Sequence, residues 1–286
     1  MSAAPPSTTT TPPGPGRVRP GIARALAALP LAALALTGCQ THATSPSEAR
    51  AEALENAGAV TGGDGGPGTA GRTADEAGGA DAPVDCEKAK CIALTFDAGP
   101  GKDTPELLDI LKKEKVRATF FLLGKNHVLK YPETVRRLAA EGHEVGNHTW
   151  THQRLDGLGK DAIRDELGRT QDAIAEITGQ RPTLMRPPQG RTDEEVTAVC
   201  EELGLSQVLW STTAKDYATT DSALIEKRTL DQAGRDGIIL LHDIYDGTVP
   251  AVPGIIAELK KRGYTFVTVP ELLHPARPVP GTVYRP

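Results

Sequence analysis

The side chains best suited to chemistry stand at or just after the ends of predicted strands. Six of them are placed in this way, and they are Asp97, His148, His152, Arg186, Asp216 and His242. The carboxyl ends of strands in a βα barrel form one rim where active sites are built, so these residues are expected to converge. A single histidine is more often structural than catalytic, but packing does not explain six reactive residues at the ends of five strands. The pattern therefore predicts an active site at this rim.

Two imidazoles stand four residues apart in the segment His148-Thr-Trp-Thr-His152. If the segment forms a helical turn, both rings face the same way and can bind one metal ion. The spacing alone is a weak signal, and it gains weight from the acidic and basic residues predicted beside it.

The other four candidates suit proton transfer. Asp97 ends a predicted buried strand, where a carboxylate can act as a base. Arg186 begins a stiff Arg-Pro-Pro turn that would present its guanidinium to such a carboxylate. His242 would protonate a leaving group from another strand end, with Asp216 holding one of its ring nitrogens. A base, an acid and a metal pair together predict metal-assisted hydrolysis of an acyl bond.

Strands and helices that alternate after residue 84 must position these side chains. The predicted strands are 92–96, 119–123, 144–147, 184–186, 207–210, 238–242 and 265–269. The predicted helices are 105–113, 132–140, 160–178, 194–203, 222–233 and 252–261. This alternation predicts an α/β fold with parallel strands, either a barrel or an open sheet.

Composition narrows the class of protein. The chain has 286 residues, which allow one large domain or two small ones, and a net charge of −5. This mild acidic excess, with no cluster of Lys and Arg, argues against a nucleic-acid partner. No apolar run reaches the ~20 residues that span a bilayer, so a multispan membrane protein is excluded.

Residues 1–38 have the order of a secretory signal. A basic segment precedes a short apolar stretch, residues 25–36. The stretch runs into Leu36-Thr37-Gly38-Cys39, which resembles a bacterial lipobox whose Cys is lipidated and becomes the first mature residue. The alternative is an ordinary Cys after a signal peptide. A lipid on Cys39 would anchor an exported protein to the outer face of the cytoplasmic membrane, facing the cell wall.

Residues 39–84 are rich in Ala, Gly, Thr and Ser and nearly lack large apolar side chains. Such a segment cannot offset its ordering entropy by burial, so a disordered tether is predicted here. The tether would hold a folded domain, residues 85–286, away from the membrane and within reach of a cell-wall polymer. A loose pro-segment is the alternative.

Three cysteines remain besides Cys39. Cys86 and Cys91 flank Glu-Lys-Ala-Lys before the first predicted strand, and a short disulfide loop there fits an exported protein. A zinc site is the rival interpretation, weakened by the absence of a close fourth partner. Cys200 lies in an apolar helical pattern and is predicted to be a buried thiol.

Five motifs occur in an order that is typical of one family. They are Thr95-Phe-Asp-Ala-Gly-Pro100, His148-Thr-Trp-Thr-His152, Arg186-Pro-Pro-Gln-Gly190, Lys215-Asp-Tyr217 and Leu240-Leu-His242. This set, between Cys91 and Leu273, resembles the polysaccharide deacetylases, the carbohydrate esterases with a NodB homology domain. The resemblance implies a distorted (β/α) barrel with about seven parallel strands. It also implies removal of acetyl groups from N-acetylglucosamine polymers (peptidoglycan or chitin) or from acetylated xylan.

The resemblance assigns proton-transfer roles to four residues of this chain. Asp97 matches the general base that activates the attacking water, and Arg186 matches the arginine that positions that base. His242 matches the general acid, and Asp216 matches the carboxylate that tunes it. An N-acetylated polysaccharide is then the expected partner of a protein that we expect to be a monomer.

The resemblance also implies a divalent metal, Zn²⁺ in the first place, with Co²⁺ or another ion as alternatives. His148 and His152 match its two imidazole ligands. Tyr217 stands where the family commonly has Trp, and with Pro188 and Trp150 it is a candidate substrate contact.

One departure bears on the metal. The first motif of the family is usually Thr-Phe-Asp-Asp-Gly-Pro, and its second Asp is the third metal ligand, but this chain has Ala98 there. A substitute would be water, Asp97 itself or a nearby side chain such as Asn147, and fewer anionic ligands should weaken the affinity. A second departure is Thr213, where many members carry an additional Asp.

Two classes of function stay open after this comparison. Retention of Asp97, Arg186, Asp216 and His242 favours a cell-envelope deacetylase, working with a looser metal site or without a tightly bound metal. Ala98 favours a noncatalytic lipoprotein that binds glycan.

Overall fold

The central strand of the fold is the apolar segment that ends in Asp97. In the computed structural model, which describes residues 43–60 and 83–286, this strand is β2 (Lys90–Asp97). Cys91 and Ala93 face the interior of a curled sheet, whereas Ile92 packs against the surrounding helices. Because side chains alternate along a strand, Asp97 shares the interior face.

The sheet has ten strands, and they pair in parallel. Besides β2 they are β1 (Ala43–Thr44), β3 (Thr119–Leu122), β4 (Glu144–Asn147), β5 (Leu184–Met185), β6 (Ser206–Val208), β7 (Thr212–Thr213), β8 (Gly237–Leu241), β9 (Tyr264–Val267) and β10 (Val283–Tyr284). Their order is β1-β10-β6-β5-β4-β3-β2-β8-β7, and β9 pairs with the first half of β2. The curled parallel sheet confirms the predicted α/β class and distorted barrel.

Helices surround this sheet. They are α1 (Pro46–Val60), α2 (Thr104–Glu114), α3 (Pro132–Ala140), α4 (Lys160–Thr178), α5 (Glu194–Glu202), α6 (Ser222–Gln232), α7 (Thr248–Lys261) and α8 (Val269–Leu273). The predicted strands and helices agree with the observed ones to within a few residues. Helix α7 begins at Thr248, before the predicted residue 252, and Pro253 lies inside the helix rather than near its start. Within residues 43–60 and 83–286, no helix combines the length and apolarity needed to cross a membrane.

The predicted tether is wrong for residues 43–60. Here β1 pairs with β10, and α1 packs on the domain through Arg50, which is 1% exposed. The guanidinium donates to Glu87 at 2.6 Å, to Asp236 at 2.8 Å and to the carbonyl oxygen of Leu272 at 2.8 Å. Composition indicated disorder because α1 carries few large apolar residues, but a buried ion-pair network secures the helix instead. Residues 1–42 and 61–82 of the predicted signal and tether, including Cys39, lie outside the described residues.

The two cysteines before β2 form the predicted disulfide. Cys86 and Cys91 are joined with their Cα atoms 5.5 Å apart, which leaves neither sulfur for a zinc site. Cys200 is a buried free thiol, and burial raises its pKa to about 12.

Candidate active site

The carboxyl ends of the strands carry the predicted catalytic residues. Asp97 is the last residue of β2, His148 follows β4, Arg186 follows β5 and His242 follows β8. Asp216 comes shortly after β7. Short contacts link Asp97 to Arg186 and His148, and link Asp216 to His242. The structure therefore brings the five residues to one end of the barrel, which forms its mouth.

Asp97 forms a buried ion pair with Arg186. The Nη1 of Arg186 donates to Oδ1 of Asp97 and to Oγ1 of Thr95, both at 2.7 Å. Its Nε donates to the carbonyl oxygen of Val208 at 3.0 Å. These bonds fix one oxygen of the carboxylate and leave Oδ2 facing Nε2 of His148 at 3.8 Å. Asp97 thus keeps one oxygen for a proton.

His148 and His152 lie in an irregular turn, and the predicted helical turn is wrong. Thr149 and His152 have left-handed φ values of 74° and 65°, and the two ring centroids are 5.0 Å apart. The turn is secured by Glu166 of α4, which accepts the backbone N–H of Trp150 at 3.0 Å and that of the next residue at 2.8 Å. Left-handed backbone at residues other than Gly persists where surrounding contacts impose it. The two rings therefore lie side by side without helical spacing.

The ring of His148 is oriented by a backbone carbonyl. Its Nδ1 lies 2.7 Å from the oxygen of Arg186, and since a carbonyl only accepts, Nδ1 carries the hydrogen. Burial lowers the pKa of His148 to about 4, so the ring is neutral near pH 7 and Nε2 offers a lone pair. His152 is exposed, and desolvation of its ring lowers its pKa, although the charge of Asp97 opposes this.

His242 is held by the buried carboxylate of Asp216. Oδ1 of Asp216 lies 2.9 Å from Nδ1 of His242, while Oδ2 accepts the His242 backbone N–H at 2.7 Å and the Thr248 hydroxyl at 2.8 Å. Burial opposes the charged ring, but the hydrogen bond and the charge of Asp216 outweigh it and raise the pKa of His242. Nε2 is then the nitrogen that faces the mouth, and it can donate a proton.

Two tyrosines flank the acid at the mouth. Tyr217 and Tyr245 stand edge-on to His242, with ring centroids 6.1 Å and 5.4 Å away. They are 56% and 37% exposed, so both offer an aromatic face to a ligand.

The loop after Asp97 packs against the side chain of Asp243. Ala98 has a left-handed φ of 65°, and the next residue, Gly99, approaches Asp243 so closely that a Cβ would collide with its carboxylate. Thr104 donates its hydroxyl to Oδ2 of Asp243, while the buried Oδ1 has no protein partner. Burial raises the pKa of Asp243 to about 6.

Comparison with known proteins identifies one family. A family model described as polysaccharide deacetylase matches residues 85–208. A peptidoglycan-N-acetylglucosamine deacetylase of Bacillus cereus is 36% identical over 191 residues, which make up 65% of this chain and 69% of the relative. The chain belongs to the polysaccharide deacetylase family. PgdA of Listeria monocytogenes, a peptidoglycan-N-acetylglucosamine deacetylase, is 40% identical over 184 residues, 64% of this chain and 39% of PgdA.

Solved structures of the family share the fold. The structure titled "T48 deacetylase with substrate" has a TM-score of 0.67 at 39% identity, covering 70% of this chain and 99% of that one. A mutant of BA3943, titled a CE4 family pseudoenzyme with restored enzymatic activity, has a TM-score of 0.63 at 31% identity, covering 66% of this chain and 70% of that one. The family thus includes a protein described as a pseudoenzyme.

The metal donors that the family resemblance implies are incomplete in this chain. His148 and His152 are present, but Ala98 has no ligand atom. Asn147 is no substitute, because its Nδ2 donates to the carbonyl of Leu167 and its Oδ1 accepts from the backbone of Thr149, both at 2.8 Å. Within residues 43–60 and 83–286, no three His, Cys, Asp or Glu side chains are arranged to hold a metal ion. The donor set of two imidazoles and a carboxylate therefore does not fit the residues present.

Two of the three predicted substrate contacts are wrong. Trp150 is 8% exposed and packs in the core, with the guanidinium of Arg169 4.4 Å from its ring centroid. Pro188 is buried in the turn after Arg186 and shapes that turn rather than a ligand surface. Tyr217 alone has the predicted exposure, and Tyr245 joins it.

Sequence reasoning missed several residues that support the site. Glu166, Thr248, Asp243 and His127 all contact its loops through hydrogen bonds. Glu166 had a signal, since it is a carboxylate on the buried face of α4, three residues after Ile163. The other three had none, because their partners are distant in sequence.

Proposed function

We propose that this member of the family hydrolyses acetamido groups of N-acetylated cell-wall polysaccharide, with peptidoglycan as substrate. The observation that carries the proposal is a base and an acid at one mouth, each fixed by its own partner. Arg186 fixes Asp97, and Asp216 fixes His242. A surface that only binds sugar needs neither group. PgdA and the Bacillus cereus relative are named for deacetylating peptidoglycan, and the chain spans 39% of the length of PgdA.

The proton transfers follow from the positions of the two groups. Asp97 takes a proton from water through Oδ2, and the water oxygen bonds to the acetyl carbon. His242 then gives the proton on Nε2 to the sugar nitrogen as the carbon–nitrogen bond breaks. The products are acetate and a free amine. Ionised Asp216 stabilises the charged ring before it donates.

The same proposal includes export and lipid anchorage through Cys39, supported by the signal-like residues 1–38. Because β1 begins at Ala43, only residues 40–42 separate Cys39 from the folded domain. The anchor would hold the domain close to the membrane on a short connection.

Acetate release by the full chain from N-acetylated peptidoglycan tests the activity. We expect release in the presence of added Zn²⁺, and loss of release when His242 is changed to Ala. Release that persists at the same rate in His242→Ala would contradict the acid assignment, and release of no acetate under any condition would contradict the activity.

Ala98 favours a second candidate, a glycan-binding protein without activity, and the existence of a CE4 pseudoenzyme supports it. Binding of peptidoglycan by the full chain, with no acetate released at any concentration of Zn²⁺, would favour this candidate over the first.

A further inference from the structure

A small cavity lies on the rim of the barrel, beside the buried pair of Asp97 and Arg186. Its volume is about 280 Å³, and the residues that line it follow strands β5, β6 and β10: Gln189, Gly190, Leu209, Trp210 and Arg285. Because these strands are parallel, the cavity opens at the same end of the barrel as the mouth. Ligand pockets in proteins begin at about 300 Å³, so this one suits a single small unit rather than a long ligand.

The cavity shares a wall with the proposed base. The ring centroid of Trp210 lies 5.7 Å from the guanidinium carbon of Arg186, and Nη2 of Arg186 donates to the carbonyl oxygen of Leu209 at 3.4 Å. The same guanidinium holds Asp97 at 2.7 Å. A sugar unit bound in the cavity would therefore be a near neighbour of the unit that loses its acetyl group.

The turn after Arg186 holds the indole of Trp210 in place. Gly190 approaches the indole so closely that a Cβ there would lie 2.9 Å from the ring, and it has a left-handed φ of 67°. Trp210 is half-buried, so part of its ring is open to the cavity. A fixed aromatic ring offers apolar surface at a low cost in entropy, which suits the C–H face of a sugar ring.

Arg285 adds a positive charge to this aromatic surface. Its backbone N–H donates to the carbonyl oxygen of Thr44 at 3.0 Å, which fixes the main chain beside β1. Its side chain is exposed and has no ion-pair partner within the part of the chain that the structure describes. Arg191, which follows the same turn as Gly190, is by contrast paired with Asp156 at 2.7 Å. An unpaired guanidinium presents planar donors that match a carboxylate.

We propose that this cavity is a subsite for a sugar that carries a carboxylate, the muramyl unit of peptidoglycan. Trp210 packs against the sugar ring, and Arg285 binds the carboxylate. The inference rests on the proposed function and adds to it a basis for preferring peptidoglycan to chitin, since chitin carries no carboxylate. The carboxylate belongs either to the lactyl group of the muramyl unit or to the peptide attached to it.

The test is a titration of the full chain, without added metal, followed by tryptophan fluorescence. The chain has two Trp, and Trp150 lies in the core, so Trp210 reports the cavity. Three probes are compared. The first is the neutral disaccharide of N-acetylglucosamine, and the second is N-acetylglucosaminyl-N-acetylmuramic acid, with a lactyl carboxylate. The third is the second with L-Ala–D-Glu attached to the lactyl group, so that its carboxylates lie on the peptide.

We expect at least one acidic probe to bind about three- to tenfold more tightly than the neutral one, the range for an accessible charge-assisted pair. The probe with this advantage identifies which carboxylate is bound. The advantage should shrink as salt is added, because exposed charges are screened.

Arg285→Gln should remove the advantage of the acidic probe and leave binding of the neutral probe unchanged. Arg285→Lys keeps the charge without the planar fork and should retain part of the advantage. Arg277→Gln is the matched control, since Arg277 is exposed and lies outside this cavity, and it should change nothing.

Equal affinity of the natural chain for the three probes, or an undiminished advantage in Arg285→Gln, would overturn the inference. Binding of none of the probes would overturn it as well. Acetate release does not enter these measurements, so failure of the subsite and failure of the proposed hydrolysis are separate results.

Discussion

The site has an acid side, formed by Asp216 and His242, and a metal side, formed by His148, His152 and Ala98. The side chains of the acid side have more hydrogen-bond partners than those of the metal side. On the acid side, the carboxylate of Asp216 accepts three hydrogen bonds from His242 and Thr248. On the metal side, His148 is oriented, His152 is exposed and Ala98 supplies no ligand. The groups proposed for proton transfer are therefore already in place, whereas the metal side lacks the third ligand that the family resemblance implies.

The largest effects should come from the groups that move protons. His242→Ala and Asp97→Asn should each lower the rate of acetate release by about 100- to 10,000-fold, the usual contribution of a general acid or base. Their stabilities should differ, because Asp97→Asn leaves the buried Arg186 unpaired, which costs on the order of 3–5 kcal/mol. Initial rates and thermal unfolding of both variants check this. Equal loss of stability in the two would contradict the contrast between a fully buried base and a partly exposed acid.

The pH profile should report the partner of the acid. His242 must be protonated, so activity falls as pH rises through its pKa, which Asp216 raises. Asp216→Asn removes that charge, and the falling limb of the profile should move to lower pH, with a smaller loss of rate than in His242→Ala. Asp246→Asn is the control, since Asp246 is exposed and pairs only with Lys102. A limb that stays in place in Asp216→Asn would show that another group controls it.

A moderate effect on stability is expected on the metal side. Glu166→Ala removes the acceptor for two backbone N–H groups in the turn of His148, and the one of these that is buried, on Trp150, costs about 1–3 kcal/mol when it is left unsatisfied. The free energy of unfolding in denaturant should fall by about that amount. Glu176→Ala, an exposed position on the same helix, should leave it unchanged. An equal fall in both variants would mean that α4, and not the turn, is weakened.

Most of the strands and helices could be predicted from the sequence, because their apolar side chains follow local periodicity. Asp97, Arg186 and His242 could be placed because strand ends share one rim. The docking of α1 could not, since Arg50 finds Glu87 and Asp236 only in the fold. The helical turn predicted from the spacing of His148 and His152 was also wrong. A left-handed residue precedes Trp150, and the indole lies in the core.

The smallest effect is expected from a change in the loop of Ala98 alone. At its φ of 65° Gly is less strained than Ala, so Ala98→Gly should stabilise the fold by about 0.5–1 kcal/mol without changing Zn²⁺ affinity. Thermal unfolding measures the first quantity, and competition with a chromophoric chelator for Zn²⁺ measures the second. Weaker Zn²⁺ binding in this variant would show that the loop itself takes part in metal binding.

One measurement tests the contrast between the two sides most directly: acetate release from N-acetylated peptidoglycan by the natural chain and by Ala98→Asp, side by side at saturating Zn²⁺. A complete acid side and an altered but working metal side predict that both release acetate, at rates within about tenfold, the difference that 1.4 kcal/mol makes. Release by Ala98→Asp alone would contradict this account. The metal side would then be lost rather than altered, and the natural chain would be a glycan-binding relative of active deacetylases.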